Sequence, residues 1–211
     1  MRDLTPGATG LLAGAVVYTL GVCASVRTDD MALPTPCADW DLAMLLAHLN
    51  TSIADLETAI RAGTLDLERP PDHAVGDPVE TLRDGAARLL CAAYGYDDPG
   101  RFVEVSGLPV PAGLVACTGA VEIAVHGWDI SAARGGNSCA GVRPQNPVPT
   151  IPAVLATRML QLCPLLVAGR EGLFAGPVEV PAQASSGDKL VAFLGRDPGT
   201  LPSGPALVTD E

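Results

Sequence analysis

Aromatic residues are scarce in this 211-residue chain, only 4% of the total. A core this poor in rings must be built from Ala, Leu and Val, which suits close-packed helices better than a sheet sandwich. Charge is also sparse, at 18% against 48% hydrophobic residues, and that balance excludes a disordered chain. Basic residues are few, 13 against 24 acidic ones, and they form no cluster. The net charge of −11 therefore argues against nucleic acid and anionic membrane surfaces as partners. Six cysteines could suggest three disulfides in a secreted protein, but their positions argue otherwise and there is no C-x-x-C pair. Cys23, Cys91, Cys117 and Cys163 fall in apolar helical stretches, as free thiols in a reducing cytoplasm do. Cys37 and Cys139 lie in turns, and nothing adjacent in sequence marks either as an activated nucleophile. No internal repeat is evident, and the length fits one domain with a small appendage.

What the chain does have is a series of long apolar segments. Leu4 to Val26 carries no charge, long enough to imitate a membrane span or a leader. Its four glycines, the Arg2 offset by Asp3, and the acidic turn at Asp29 and Asp30 favour a buried first helix, from about Thr9 to Val26. Pro34 and Pro36 hold the next segment extended, and Asp39 is the expected N-cap of a helix from Trp40 to about Ala62, closed by Gly63. After a Pro- and Gly-rich loop, Asp77 and Pro78 supply a cap and first position for a third helix. A short strand is expected at Phe102 to Val105, and Pro111 opens a central helix that ends at Gly135 and Gly136. A further helix, from Pro152 to about Ala168, contains Pro164 and should kink or break there. The remainder reads as a short extended pair, a capped helical piece from Gly187 to Leu194 stopped by Gly195, and a frayed tail from Pro198.

The central helix carries the most informative pattern. Glu122 and His126 are four residues apart, hence on one face, in a run that is apolar nearly all round and belongs inside a bundle. A buried carboxylate beside a buried imidazole is costly without a partner, and a metal ion is one such partner; a helix side-chain pair is the plainer alternative. Three histidines are available. His73 lies in a Pro-, Gly- and Asp-rich loop and reads as solvated, whereas His48 sits among Leu45, Leu46 and Leu49 in the second helix. His48, Glu122 and His126 on facing helices would make a three-ligand set with a position left for water or substrate.

Three patches resemble a known family: LPTPCADWDLAMLLAHL at 33–49, VEIAVHGWDISAARG at 121–135 and VEVPAQASSGDKLVAFLGRDP at 178–198. They are similar to the DinB-like metal-binding four-helix bundles of actinobacterial type, in particular the mycothiol-dependent maleylpyruvate isomerase N-terminal family. The resemblance implies an all-α dominated four-helix bundle over residues 1–170 and a small α+β extension over 171–211. It also implies that His48, Glu122 and His126 bind a divalent metal, usually zinc. The GRDP patch supports the subfamily more than the activity.

The function so implied is a cytoplasmic, metal-dependent enzyme that ionises a mycothiol-like thiol for S-transfer or thiol-assisted isomerisation of a small electrophile. Asp129, one turn beyond His126, is expected either to orient that imidazole or act as a base, or else to be an exposed residue at the helix end. Arg83 and Arg88, on the third helix, read as a solvated face or as a clamp for an acidic substrate or thiol cofactor. Trp128 is expected to be a packing anchor. The alternatives are a thiol-independent metal hydrolase, lyase or cyclase of specialised metabolism, and a non-catalytic metal-binding module. A small-molecule partner and a monomer or homodimer complete the expectation.

Overall fold

A computed structural model describes residues 7–37, 39–66, 76–96, 98, 100–135, 150–166 and 175–199. His73, Cys139, the loop expected before Thr150, and the tail beyond residue 199 lie outside them. Four helices build the core: α1 (Ala8–Cys23), α2 (Leu42–Ala62), α3 (Pro78–Gly95) and α4 (Ala112–Gly135). Helix α1 lies along α4 and touches α3, while α2 packs on both α3 and α4, closing a four-helix bundle. Two more helices, α5 (Ala153–Leu166) and α6 (Ser186–Phe193), pack on each other, and α5 leans on α4 and α1.

Local chemistry explains most of the boundaries. Asp77 accepts from the backbone N–H groups of Val79 (2.7 Å) and Glu80 (3.2 Å), and Pro78 opens α3 as the sequence predicts. Helix α2 differs by two residues from expectation. Its cap is Asp41, whose carboxylate accepts from Met44 N at 2.8 Å, while Asp39 adopts a left-handed conformation with φ 67°. The segment before α2 is a closed loop, and this displaces the cap: Pro34 bridges to Asp41, and Leu42 N donates to Leu33 O at 2.9 Å. Inside that loop Thr35 Oγ1 donates to Trp40 O at 2.9 Å. Gly63 closes α2 in the left-handed region, as expected.

The uncharged N-terminal segment forms one wall of the core: Leu11, Leu12, Ala15, Val16 and Val22 of α1 are buried. The helix stops at Cys23, three residues short of the expected Val26. No helix among the described residues is long and apolar enough to cross a membrane. Close approach between α1 and α4 depends on Gly127, where a Cβ would collide with Thr19 Oγ1; the Thr19 hydroxyl donates to Ile123 O at 2.8 Å.

The strand at Phe102–Val105 is present, with two partners the sequence reading missed. It pairs antiparallel with Leu108–Pro111, Val103 opposite Val110, and parallel with the two-residue Thr64–Leu65. In chain order these are β1 (Thr64–Leu65), β2 (Phe102–Val105) and β3 (Leu108–Pro111). The extended pair expected before α6 forms no strand ladder among the described residues; Val178 N instead donates to Ala192 O of α6 at 2.9 Å. Pro164 lies inside α5, and the expected helix end near Ala168 lies outside the described residues.

Candidate metal and thiol site

From Ala120 to Ala133 every residue of α4 is buried except Glu122, which is only partly so. An apolar helix in the middle of a bundle thus opens one carboxylate toward solvent. Glu122 Oε1 lies 2.9 Å from His48 Nε2 and 3.2 Å from His126 Nε2. One ligand atom from each of the three residues falls within 4.8 Å of the others. Two donors at about 2.0 Å from a tetrahedral zinc would stand roughly 3.3 Å apart, so these spacings suit one ion. Two imidazole nitrogens and one carboxylate oxygen also form a donor set that zinc favours. His126 is 8% exposed and His48 37%, so the group is closed on the α4 side and open on the α2 side.

Behind His126 is a second layer. Its Nδ1 lies 3.0 Å from Asp129 Oδ2, and the Asp129 side chain is completely buried. Of the two readings of Asp129, an exposed helix end is excluded, since the helix continues to Gly135 through the core. Arg196 Nη2 and Nε donate to the two Asp129 oxygens at 2.9 and 3.3 Å. Cys37 Sγ stands 3.3 Å from Asp129 Oδ2, 3.6 Å from Arg196 Nη2 and 3.9 Å from His126 Nδ1. Cys37, His126 and Asp129 also come together closely enough to be a metal-ligand group, but there the Arg196 guanidinium already supplies the positive charge. Trp40 flanks both histidines, its ring centroid 4.8 Å from that of His48 and 6.4 Å from that of His126.

The charges in this cluster support one another. Burial pushes the Glu122 carboxyl up, but hydrogen bonds from His126 and His48, and their charge, outweigh it and hold Glu122 well below the usual carboxylate range. Burial works against protonation of His126, yet its bonds to Asp129, Cys37 and Glu122 and the Glu122 charge keep it protonated well above the usual imidazole range. Asp129 is likewise held low, against its own burial, by the His126 bond and the Arg196 charge. Together these directions favour the charged forms of His126, Glu122 and Asp129.

The two residues the sequence reading did not place here are Cys37 and Arg196. Both lie inside family-resembling patches, the TPC and GRDP segments, but neither is helical or periodic. Arg196 is aimed by a helix ending: Arg196 N donates to Val191 O at 2.9 Å and Gly195 N to Ala192 O at 3.0 Å, with Gly195 at φ +83°. That pair of bonds turns the chain back sharply, and only glycine takes the turn without strain. Arg83 and Arg88 are exposed on α3, and Arg88 Nε donates to Glu57 Oε2 at 3.2 Å. Trp128 is buried, as a packing anchor should be.

Two uncharacterized proteins of Mycobacterium tuberculosis, Rv0738 of strain H37Rv and MT0763 of strain CDC 1551, are 27% identical over 181 residues, covering 82% of this chain and 88% of theirs. A crystal structure of the mycothiol-dependent maleylpyruvate isomerase is 18% identical, with a TM-score of 0.45 over 72% of this chain and 66% of that one. The chain thus spans just under two thirds of that solved protein. The family model for the mycothiol maleylpyruvate isomerase N-terminal domain matches residues 12–131, a span that runs from α1 through His48 and Glu122 to the buried Asp129, and the chain belongs to that family.

Proposed function

We propose that this protein is a metal-dependent enzyme that activates a low-molecular-weight thiol, of the mycothiol kind, for S-transfer or thiol-assisted isomerisation of a small electrophile. The observation that carries the proposal is the triangle of His48, Glu122 and His126, open on one side, in a chain of this family. His48, Glu122 and His126 would hold a divalent ion, most simply zinc. Bound there, the ion would supply the positive charge that lets a thiol lose its proton at neutral pH.

The remaining roles belong to the chain itself. Asp129 accepts from His126 Nδ1, which fixes the imidazole tautomer and points Nε2 toward Glu122. Asp129 is thereby a positioning residue rather than a base, because its second oxygen is turned to Arg196 and it has no exposed surface. Arg196 offsets its buried charge and carries the C-terminal segment into the site. Trp40 packs beside both histidine rings and would help to orient them. The protein is proposed to work in the cytoplasm, and Arg83 and Arg88 remain candidates for holding the outer part of a thiol cofactor, Arg88 by exchanging its partner Glu57. Residues 1–170 and 171–211 are proposed as bundle and extension.

Replacing the ion with cobalt tests the reading directly. Adding mycothiol should produce a near-ultraviolet sulfur-to-metal charge-transfer band that saturates at about one equivalent, with release of a proton in weak buffer. If no thiol changes the spectrum while water at the metal still exchanges, the thiol role falls. A thiol-independent hydrolase, lyase or cyclase then takes its place.

A further inference from the structure

Ser52 follows His48 by one turn of α2, and its hydroxyl oxygen stands 3.5 Å from His48 Nε2, the nitrogen that also faces Glu122. Neighbouring hydroxyls are used differently. Thr51 and Thr58 of the same helix donate to carbonyls one turn back, Ala47 O at 3.2 Å and Ala54 O at 2.9 Å, and Thr118 of α4 donates to Leu114 O at 3.0 Å. Those protons are spent on the helices that carry them. Ser52 instead has its oxygen beside the His48 ring, and it is partly exposed. With Glu122 it also lines a cleft of about 370 Å³ that runs between α2 and α4 to the small sheet. Ser52 thus stands where the donor group of His48, Glu122 and His126 meets that cleft.

The contact with His48 leaves the serine proton unused. Glu122 Oε1 lies 2.9 Å from the same Nε2. An ionised carboxylate only accepts, so the Nε2 proton is directed to Glu122 and that nitrogen keeps no lone pair for the serine. When Nε2 binds a metal, its lone pair is committed there and again it cannot accept. In both states Ser52 is at most an acceptor toward His48, and its O–H remains a donor at the open side of the group. Zinc takes its protein ligands from Cys, His, Asp and Glu, so the hydroxyl is suited to donate to a bound molecule rather than to hold the ion. We propose that Ser52 is a ligand-binding residue of this site, its hydroxyl donating to the atom that fills the open position beside His48, Glu122 and His126. In the function proposed above, on which the identity of that atom rests, it is the thiolate sulfur, and a hydrogen bond to a charged acceptor is among the stronger ones.

Full-length protein reconstituted with cobalt tests this with two probes, mycothiol and azide, titrated into wild type, Ser52→Ala and Ser52→Thr. Alanine suits a helix interior, so helicity should be kept, and cobalt affinity should hold at the wild-type value because the three metal ligands are untouched. Ser52→Ala should weaken both probes about tenfold or more, the scale of a hydrogen bond to a charged group. Its sulfur-to-cobalt band with mycothiol should move to longer wavelength, since sulfur that loses a hydrogen bond gives up electrons more readily. Ser52→Thr keeps the hydroxyl and should restore both affinity and band position. The proposal is overturned if Ser52→Ala binds both probes as tightly as wild type, or if threonine is as weak as alanine. It is equally overturned if alanine lowers cobalt affinity and leaves the loaded protein's affinity for the probes unchanged, because Ser52 then only supports His48. A chain that takes up no cobalt also overturns it. Azide weakened by Ser52→Ala in a protein that shows no band with mycothiol would retain the serine's role and remove the thiol chemistry. A mycothiol band that Ser52→Ala leaves in place at full affinity would do the reverse.

Discussion

Arg196 grips Asp129 with two nitrogens, Nη2 at 2.9 Å and Nε at 3.3 Å, although 67 residues separate them in the chain. The Asp129 side chain has no solvent exposure, and its charge is stabilised by this guanidinium, the His126 imidazole and the Cys37 thiol. Arg196→Met should therefore leave a buried carboxylate short of its main counter-charge and destabilise the metal-free protein by about 3–5 kcal/mol. Arg196→Lys, which keeps the charge and loses the fork, should recover part of this. Urea unfolding measures the loss, and competition with a zinc chelator should show affinity lowered about 10- to 100-fold in the Met variant.

Protein purified without chelator should carry about one divalent ion per chain. His48→Ala, Glu122→Ala and His126→Ala should each lower occupancy strongly, and His73→Ala should leave it unchanged. Elemental analysis of the four variants decides this. Wild type that is folded and active without metal would remove the basis of the proposed function.

The pH dependence has a definite sign. His126 is held protonated well above its ordinary value of 6.5, so its contribution to metal-free stability is complete below pH 6.5 and fades as pH rises through the higher folded value. Glu122 and Asp129 are held below their ordinary values of 4.5 and 3.8, so their contributions are complete above those values and are lost as pH falls through the depressed ones. Metal-free protein should thus be most stable between pH 4.5 and 6.5 and weaken on either side. Zinc affinity should rise with pH over the alkaline limb, because the ion must displace the His126 Nε2 proton. Thermal melts across pH, and calorimetry in two buffers of different ionisation enthalpy, report the two effects.

Gly127 is flanked by His126 and Trp128 in sequence but faces Thr19 and Tyr18 across the α1–α4 contact. Gly127→Ala would push a methyl group into the Thr19 side chain, whose hydroxyl is bonded to Ile123 O. Stability should fall by about 1–3 kcal/mol. Thr19→Ser in the same background should recover little, since the hydroxyl it retains is itself the obstacle. Chemical denaturation of the single and double variants checks both expectations.

Local spacing was enough for the parts of this protein that lie within one turn of a helix. Glu122 and His126 share a face because 3.6 residues make a turn, and Asp77 with Pro78 starts a helix whatever surrounds it. The apolar character of α4 likewise announced its burial, and with it the cost that a carboxylate and an imidazole inside it must offset. The tertiary structure decided whatever depends on chain reversal or on which of two near-equivalent residues wins. Asp41 rather than Asp39 caps α2 because the bridge from Pro34 to Asp41 closes the preceding loop, a pairing across seven residues with no periodicity to reveal it. Strand β2 was expected, but its pairing with β1 escaped notice because β1 is only two residues long and gains its order from β2, to which it is not adjacent in sequence. Cys37 and Arg196 reached His126 and Asp129 for the same reason: the loop before α2 and the turn after α6 meet only once the bundle has formed, and helical spacing carries no information about a contact made between loops.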